Sequence, residues 1–151
     1  TPNGEFGNQR ATHIHKGVDI GIGIGANSYS ANGNDSQLAA IPVHAARDGR
    51  VCEVYELGDD GGLGNMILID HGGGYYSRYA HLSKKLVTTN DMVTRGQEIG
   101  RTGGSGNGQM LAYPEHLHFE IHQGQGNPVD PWQFYKGGLS SVPRPFQFKD
   151  I

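Results

Sequence analysis

His116-Leu117-His118-Phe119-Glu120-Ile121-His122 decides the fold class. Polar and apolar side chains alternate along it, which is the period of a β-strand. His116, His118, Glu120 and His122 then share one face, and Leu117, Phe119 and Ile121 share the other. The apolar face belongs to a core. The polar face is unusual, because a solvated strand face rarely carries three imidazoles. Residues two apart on a strand lie about 6.7 Å apart along the chain. Two of these histidines can therefore face one reaction centre, one as a ligand and one beside it. His122 lies about 13 Å from His118 by the same rise and reads as a bystander.

Strand signals extend upstream of this segment. Val51 to Leu57 is one, and Asn65-Met-Ile-Leu-Ile-Asp70 is another. Gly72-Gly-Gly74 makes a turn after the second, and Tyr75 to Ala80 returns, so a β-hairpin is predicted. Val93 and Ile99 mark two more short strands. Helix signals are weak, with a single turn expected at Pro131-Trp-Gln-Phe-Tyr135, led by its proline. Gly21 to Ala40, rich in Gly, Asn and Ser, reads as a long surface loop, and Gly103 to Pro114 as a second loop. The expected fold is mostly β: a small antiparallel sheet with little helix. One domain is expected over 1–136, followed by a tail over 137–151 that has two prolines and no periodicity.

Composition excludes several classes. The 151 residues carry a formal net charge of -3 and no basic run, so nucleic acid and anionic lipid are not expected partners. No apolar stretch approaches the ~20 residues of a membrane span. Cys52 is the only cysteine, so no intrachain disulfide forms, and it reads as a strand filler. The chain begins at Thr1 without a signal sequence, the expectation for a mature product or a fragment.

Two further motifs carry potential chemistry: His15-Lys-Gly-Val-Asp19 and Tyr79-Ala-His81-Leu-Ser83. Zinc is held by neutral imidazole and carboxylate, and a catalytic site keeps a fourth position for water. Histidines and an aspartate spread over three motifs are what such a site needs, so the chain reads first as a zinc hydrolase. In an extended strand His15 and Asp19 stand about 13 Å apart. If both bind one ion the chain must bend between them, and Gly17 is the residue that permits it. His81 reads either as a structural histidine or as a site residue. His13, His44 and His71 read as structural or exposed. Glu120 either orients a ligand imidazole or forms a structural salt bridge. A closed structural zinc module tends to be rich in Cys, which argues against that reading. A serine hydrolase is poorly supported, because Gly103-Gly-Ser-Gly106 lacks the spacing of a nucleophile elbow.

In their order and spacing, these motifs resemble the lysostaphin-type (LytM-type) zinc metalloendopeptidases. The match runs from about Gly7 to Trp132. It includes Pro42-Val-His-Ala-Ala-Arg-Asp-Gly49, Gly64-Asn65, Ile69-Asp-His-Gly72, Val93-Thr-Arg-Gly-Gln-Glu-Ile-Gly100 and Pro128-Val-Asp-Pro131. The resemblance implies a small antiparallel β fold with a groove walled by loops. It implies one zinc ion held by His15, Asp19 and His118, with His81 and His116 beside it as catalytic residues. It implies cleavage of peptide bonds in bacterial peptidoglycan, in the cross-bridge or stem, and hence an extracellular, envelope or phage-borne setting. His116 is the preferred general base, since it neighbours His118 on one face and an imidazole titrates near pH 6.5. His81 then serves the oxyanion or assists the base. A catalytically inactive member that binds wall or partner is the rival reading. Two stretches depart from the family: Ile22 to Ala40 looks like an insertion, and Gln109-Met-Leu-Ala-Tyr-Pro-Glu115 replaces a compact Gly-Pro.

Overall fold

The computed structural model describes residues 6–7, 9, 14–21, 38–56 and 62–134. Most of the 21–40 loop, the 137–151 tail, His13, Leu57 and Tyr135 lie outside the described residues. Ten strands form among the described residues: β1 Val18–Gly21, β2 Pro42–His44, β3 Gly49–Tyr55, β4 Asn65–Gly72, β5 Tyr75–Leu82, β6 Lys84–Lys85, β7 Met92–Val93, β8 Glu98–Arg101, β9 His116–Gln123 and β10 Pro128–Val129. One turn of 3₁₀ helix, Pro131–Phe134, follows. The mostly β expectation is met. Strands β1, β2, β6 and β10 were not anticipated, since each is too short to show a period; β7 and β8, equally short, were flagged by the glycines around Val93 and Ile99.

The main sheet runs β1-β9-β5-β4-β3-β7, with β10 also paired to β9, and every pairing is antiparallel. A smaller sheet runs β2-β8-β6. The predicted hairpin joins β4 and β5. Gly72 pairs with Tyr75, leaving Gly73 and Gly74 as a two-residue loop. Their φ values of 62° and 85° are the left-handed pair that a tight hairpin turn demands and glycine supplies.

The predicted apolar face of β9 enters the core. Phe119 and Ile121 pack there with Val18, Val51, Ile67, Ile69, Tyr79 and Ile99. The opposite face is buried as well: His118, Glu120 and His122 are inaccessible, and Met66, Leu68 and Ala80 form a second apolar cluster on neighbouring strands. Cys52 lies half-buried in β3 beside that cluster, where burial raises its thiol pKa. The ladder between β4 and β5 slips by one residue near His71. His71, at that slip, is a bonded structural residue. Its Nδ1–H donates to the Asp48 carbonyl (2.8 Å), and its Nε2 accepts from Ser77 Oγ (2.6 Å). Ser77 Oγ lies 2.8 Å from the Tyr79 hydroxyl, which accepts the Ala46 N–H. Burial pushes the Tyr79 hydroxyl up to about 12.

Candidate active site

Strand register brings the site together. His118 has Asp19 of β1 directly opposite on one side and Ala80 of β5 on the other. Asp19 Oδ1 lies 3.0 Å from His118 Nδ1, and the small Ala80 leaves room beside the ring. His15 arrives because the chain bends at Gly17, as anticipated, although the reason differs. Gly17 is needed for close approach rather than for an unusual φ: a Cβ there would stand 2.3 Å from the Phe119 carbonyl oxygen. The backbone thus lies against β9 and returns His15 over Asp19. His15 Nε2 stands 3.2 Å from Asp19 Oδ1 and 3.1 Å from His118 Nδ1.

His15, Asp19 and His118 each offer one ligand atom, all within 4.8 Å of one another. Zinc with bonds of about 2.0–2.2 Å in a tetrahedron sets its ligand atoms roughly 3.3 Å apart. The observed spacings are on that scale, and two nitrogens and one carboxylate oxygen suit the ion's chemistry. The residues fit a zinc ion.

Glu120 supports this cluster from behind. It is 1% exposed. Its Oε2 accepts from His118 Nε2 at 2.7 Å, and its Oε1 accepts from His122 Nε2 at 2.6 Å and from Arg78 Nη1 at 3.3 Å. Glu120 thus both orients His118 and pairs with Arg78. Binding Nε2 fixes the His118 tautomer and turns Nδ1 toward Asp19 and His15. His122 binds Glu120 and contributes nothing to the triplet. Burial opposes charge on Asp19, yet hydrogen bonds from His118 and His15 outweigh it and hold the carboxyl well below the usual range. Burial likewise opposes charge on His118, but Asp19 and Glu120 push it up to about 9.

His81 and His116 lie alongside. Their ring centroids are 4.8 Å apart, and His81 lies 5.5 Å from His118. His81 Nδ1–H donates to the Ser105 carbonyl at 2.8 Å, and His116 Nδ1–H donates to the Pro114 carbonyl at 2.6 Å. A carbonyl only accepts, so both rings keep Nε2 as the proton acceptor. His116 Nε2 stands 3.6 Å from Asp19 Oδ1. Burial, then the His116 and His118 charges, lower His81 to about 3. Burial also lowers His116 below its ordinary 6.5, against the opposing pull of the Pro114 carbonyl and Asp19. His81 has a φ of 62°, uncommon for a residue with a side chain and associated with functional sites. His44 bonds the Gly96 carbonyl and takes no part.

The 103–114 segment is a loop, as expected, and its first part is buried. Residues 102–106 are buried, and Gly103 is bridged to His116. A Cβ at Gly104 would meet the Tyr113 carbonyl at 2.0 Å. Sequence reasoning missed Tyr113, whose ring lies 4.7 Å from His81, and Glu115, which anchors residues 39–40. Neither position carries a period or motif that marks it.

The sequence profile of peptidase family M23 matches residues 13–131. The chain is 37% identical over 114 residues to the peptidoglycan DD-endopeptidase ShyA of Vibrio cholerae, covering 75% of this chain and 25% of that protein. It is 38% identical over 92 residues to the murein hydrolase activator NlpD of Salmonella typhimurium, covering 61% of this chain and 22% of that protein. The chain thus spans about a quarter of the length of these relatives. The catalytic domain of lysostaphin from Staphylococcus simulans superposes with a TM-score of 0.63 at 27% identity, covering 87% of this chain and 86% of that domain. The agreement extends across the whole sheet and beyond any single motif, and on that basis the chain belongs to peptidase family M23.

Proposed function

We propose that the chain is a zinc-dependent endopeptidase that hydrolyses peptide bonds of bacterial peptidoglycan, in the cross-bridge or stem, in the cell envelope or outside the cell. One observation carries this reading: His15, Asp19 and His118 converge from two motifs, with two proton-accepting imidazoles beside them. His15 Nε2, Asp19 Oδ1 and His118 Nδ1 are the atoms that hold the ion. Zinc supplies Lewis acidity, polarising a peptide carbonyl and making water a nucleophile near neutral pH.

The chain's own residues move the proton. His116 Nε2 is the base, because its Nδ1–H is held by the Pro114 carbonyl and its accepting nitrogen stands beside the triplet, 3.6 Å from Asp19 Oδ1. His81 is too strongly disfavoured as a cation to keep a proton. Its Nε2 instead accepts a hydrogen bond from the attacking water and orients it. An oxyanion-donor role for His81 fits less well, since its one N–H is committed to Ser105.

Similarity to the activator NlpD favours a second reading, a binding module without chemistry. The retained imidazole pair argues for catalysis, since a domain that only binds has no use for two buried proton acceptors beside a His/Asp triplet. Incubation with purified peptidoglycans of different cross-bridge type, followed by mass spectrometry, tests the choice. Zinc-loaded protein should create new peptide amino and carboxyl termini. Chelated protein and His118→Ala, which should lose the metal, should create none. No cleavage of any peptidoglycan, or full zinc and activity in His118→Ala, would overturn the reading.

A further inference from the structure

Tyr79 and Leu82 of β5 both enter the core, although strict alternation would send residues at that spacing to opposite faces. A bulge resolves the conflict. Asn65 pairs with Leu82 and Ile67 with Tyr79, so Met66 alone faces both Ala80 and His81. His81 is the extra residue, with its φ of 62°. The bulge turns its ring toward His116 and His118 and away from the core. A residue with a side chain keeps that φ only where its surroundings fix it.

The surroundings clamp the bulge from both sides. Ser105 is fully buried. Its hydroxyl donates to the Leu82 carbonyl at 2.6 Å and accepts the Asn65 N–H at 3.1 Å. Asn65 Nδ2 donates to the same Leu82 carbonyl at 3.0 Å. Two side-chain donors thus fix the residue after His81, while the His81 N–H donates to the Leu63 carbonyl at 2.8 Å. The hydroxyl bonds also fix Ser105 itself, whose carbonyl accepts from His81 Nδ1–H at 2.8 Å. Gly64 lies so close that a Cβ there would meet the Ser105 carbonyl carbon and oxygen at 2.4 Å. One buried hydroxyl therefore governs both the backbone and the ring of His81.

We propose that Ser105 and Asn65 are positioning residues for His81. They hold the bulge and, through the Ser105 carbonyl, keep the His81 proton on Nδ1 and leave Nε2 as the acceptor for the attacking water. The proposal rests on the peptidase reading for its effect on turnover and on geometry alone for the orientation of the ring. Neither residue is one of the three proposed zinc ligands, so metal content and turnover separate.

The test compares zinc-loaded wild type, Ser105→Ala, Asn65→Leu, His81→Ala and the Ser105→Ala/His81→Ala double variant. Val51→Ala, a truncation in the core on β3, serves as the control for lost stability. Zinc content should stay at one equivalent throughout. In Ser105→Ala, kcat on a peptidoglycan peptide should fall about 10–100-fold with KM little changed, up to the scale of a 1 Å misplacement. The ¹⁵N signals of the His81 ring should move toward a mixture of tautomers. Asn65→Leu removes one donor to Leu82 and should change both readouts in the same direction. In the His81→Ala background, Ser105→Ala should cost no further turnover, as coupled sites behave. Val51→Ala should lower the thermal midpoint and leave kcat and the His81 signals as in wild type. Equal losses with and without the His81 side chain, or unchanged His81 signals in Ser105→Ala, would overturn the proposal. Should Ser105→Ala not fold, Asn65→Leu carries the same comparison, alone and with His81→Ala. If wild type cleaves no peptide, the peptidase reading fails, and unchanged His81 signals in the variants would then overturn the positioning by itself.

Discussion

Replacing Glu120 with Gln probes the support of the site without touching a proposed ligand. Glu120 accepts from His118, His122 and Arg78 at 2.7, 2.6 and 3.3 Å. Gln keeps the shape, so an oxygen can still face His118 Nε2. Its amide group then faces His122, which must change tautomer to accept. Hydrogen bonds to a charged group contribute about 1.5–3 kcal/mol against 0.5–1.5 for neutral ones, so the two imidazole bonds together lose roughly 2 kcal/mol. Arg78 loses its counter-charge, but its side chain is 18% exposed and solvent screens the loss to about 1 kcal/mol or less. The sum is about 2–3 kcal/mol, or roughly 4–12 °C in thermal midpoint for a domain of this size. Zinc affinity should fall about 10–100-fold, the usual effect of losing a carboxylate behind a ligand histidine. Melting in excess chelator reads the first effect, and competition with a chromophoric chelator reads the second. A lowered midpoint with unchanged zinc affinity would make Glu120 an ion-pair residue only. If neither quantity moved, the orienting argument would be refuted.

Three other expectations follow from particular contacts. His116→Ala and His81→Ala should each keep one zinc while turnover falls about 10²–10⁴-fold, the range of general acid–base help; wild-type turnover in His116→Ala would remove it as the base. Gly17→Ala drives a methyl against the Phe119 carbonyl, so it should destabilise by about 1–3 kcal/mol and weaken zinc binding by displacing His15; a wild-type melt and affinity would contradict the bend. Burial holds His71 below its ordinary 6.5, so as pH falls the unfolded chain takes up this proton before the folded chain does. Its stabilising contribution is whole above pH 6.5 and fades as pH drops through the folded value, so the wild-type midpoint should fall more between pH 7 and pH 5 than that of His71→Gln, and equal slopes would refute the assignment.

The legible parts of the fold were those with a period or a forced turn. Seven alternating residues gave β9, and three glycines between apolar runs gave the β4–β5 hairpin. The bend at Gly17 was legible because one cluster required His15 and Asp19 to meet. Short strands such as β2 and β10 were not, since their pairing is decided by distant partners. The burial of the polar face of β9 was also invisible. It arises because Glu120 satisfies three donors at once, and sequence spacing does not show which partners lie across a ladder. Tyr113 and Glu115 sit in a stretch without periodicity, where tertiary contacts alone give them meaning. The resemblance supplied the grouping of residues into ligands and catalytic histidines, which alternation along one strand had left open.

Anomalous scattering from zinc-loaded crystals, recorded on both sides of the zinc absorption edge, tests the central claim most directly. The account predicts one peak within about 2.0–2.2 Å of His15 Nε2, Asp19 Oδ1 and His118 Nδ1, with His81 and His116 beside it and outside bonding distance. A peak coordinated by His116 or His81 in place of His118, or no peak within the triplet, would contradict it.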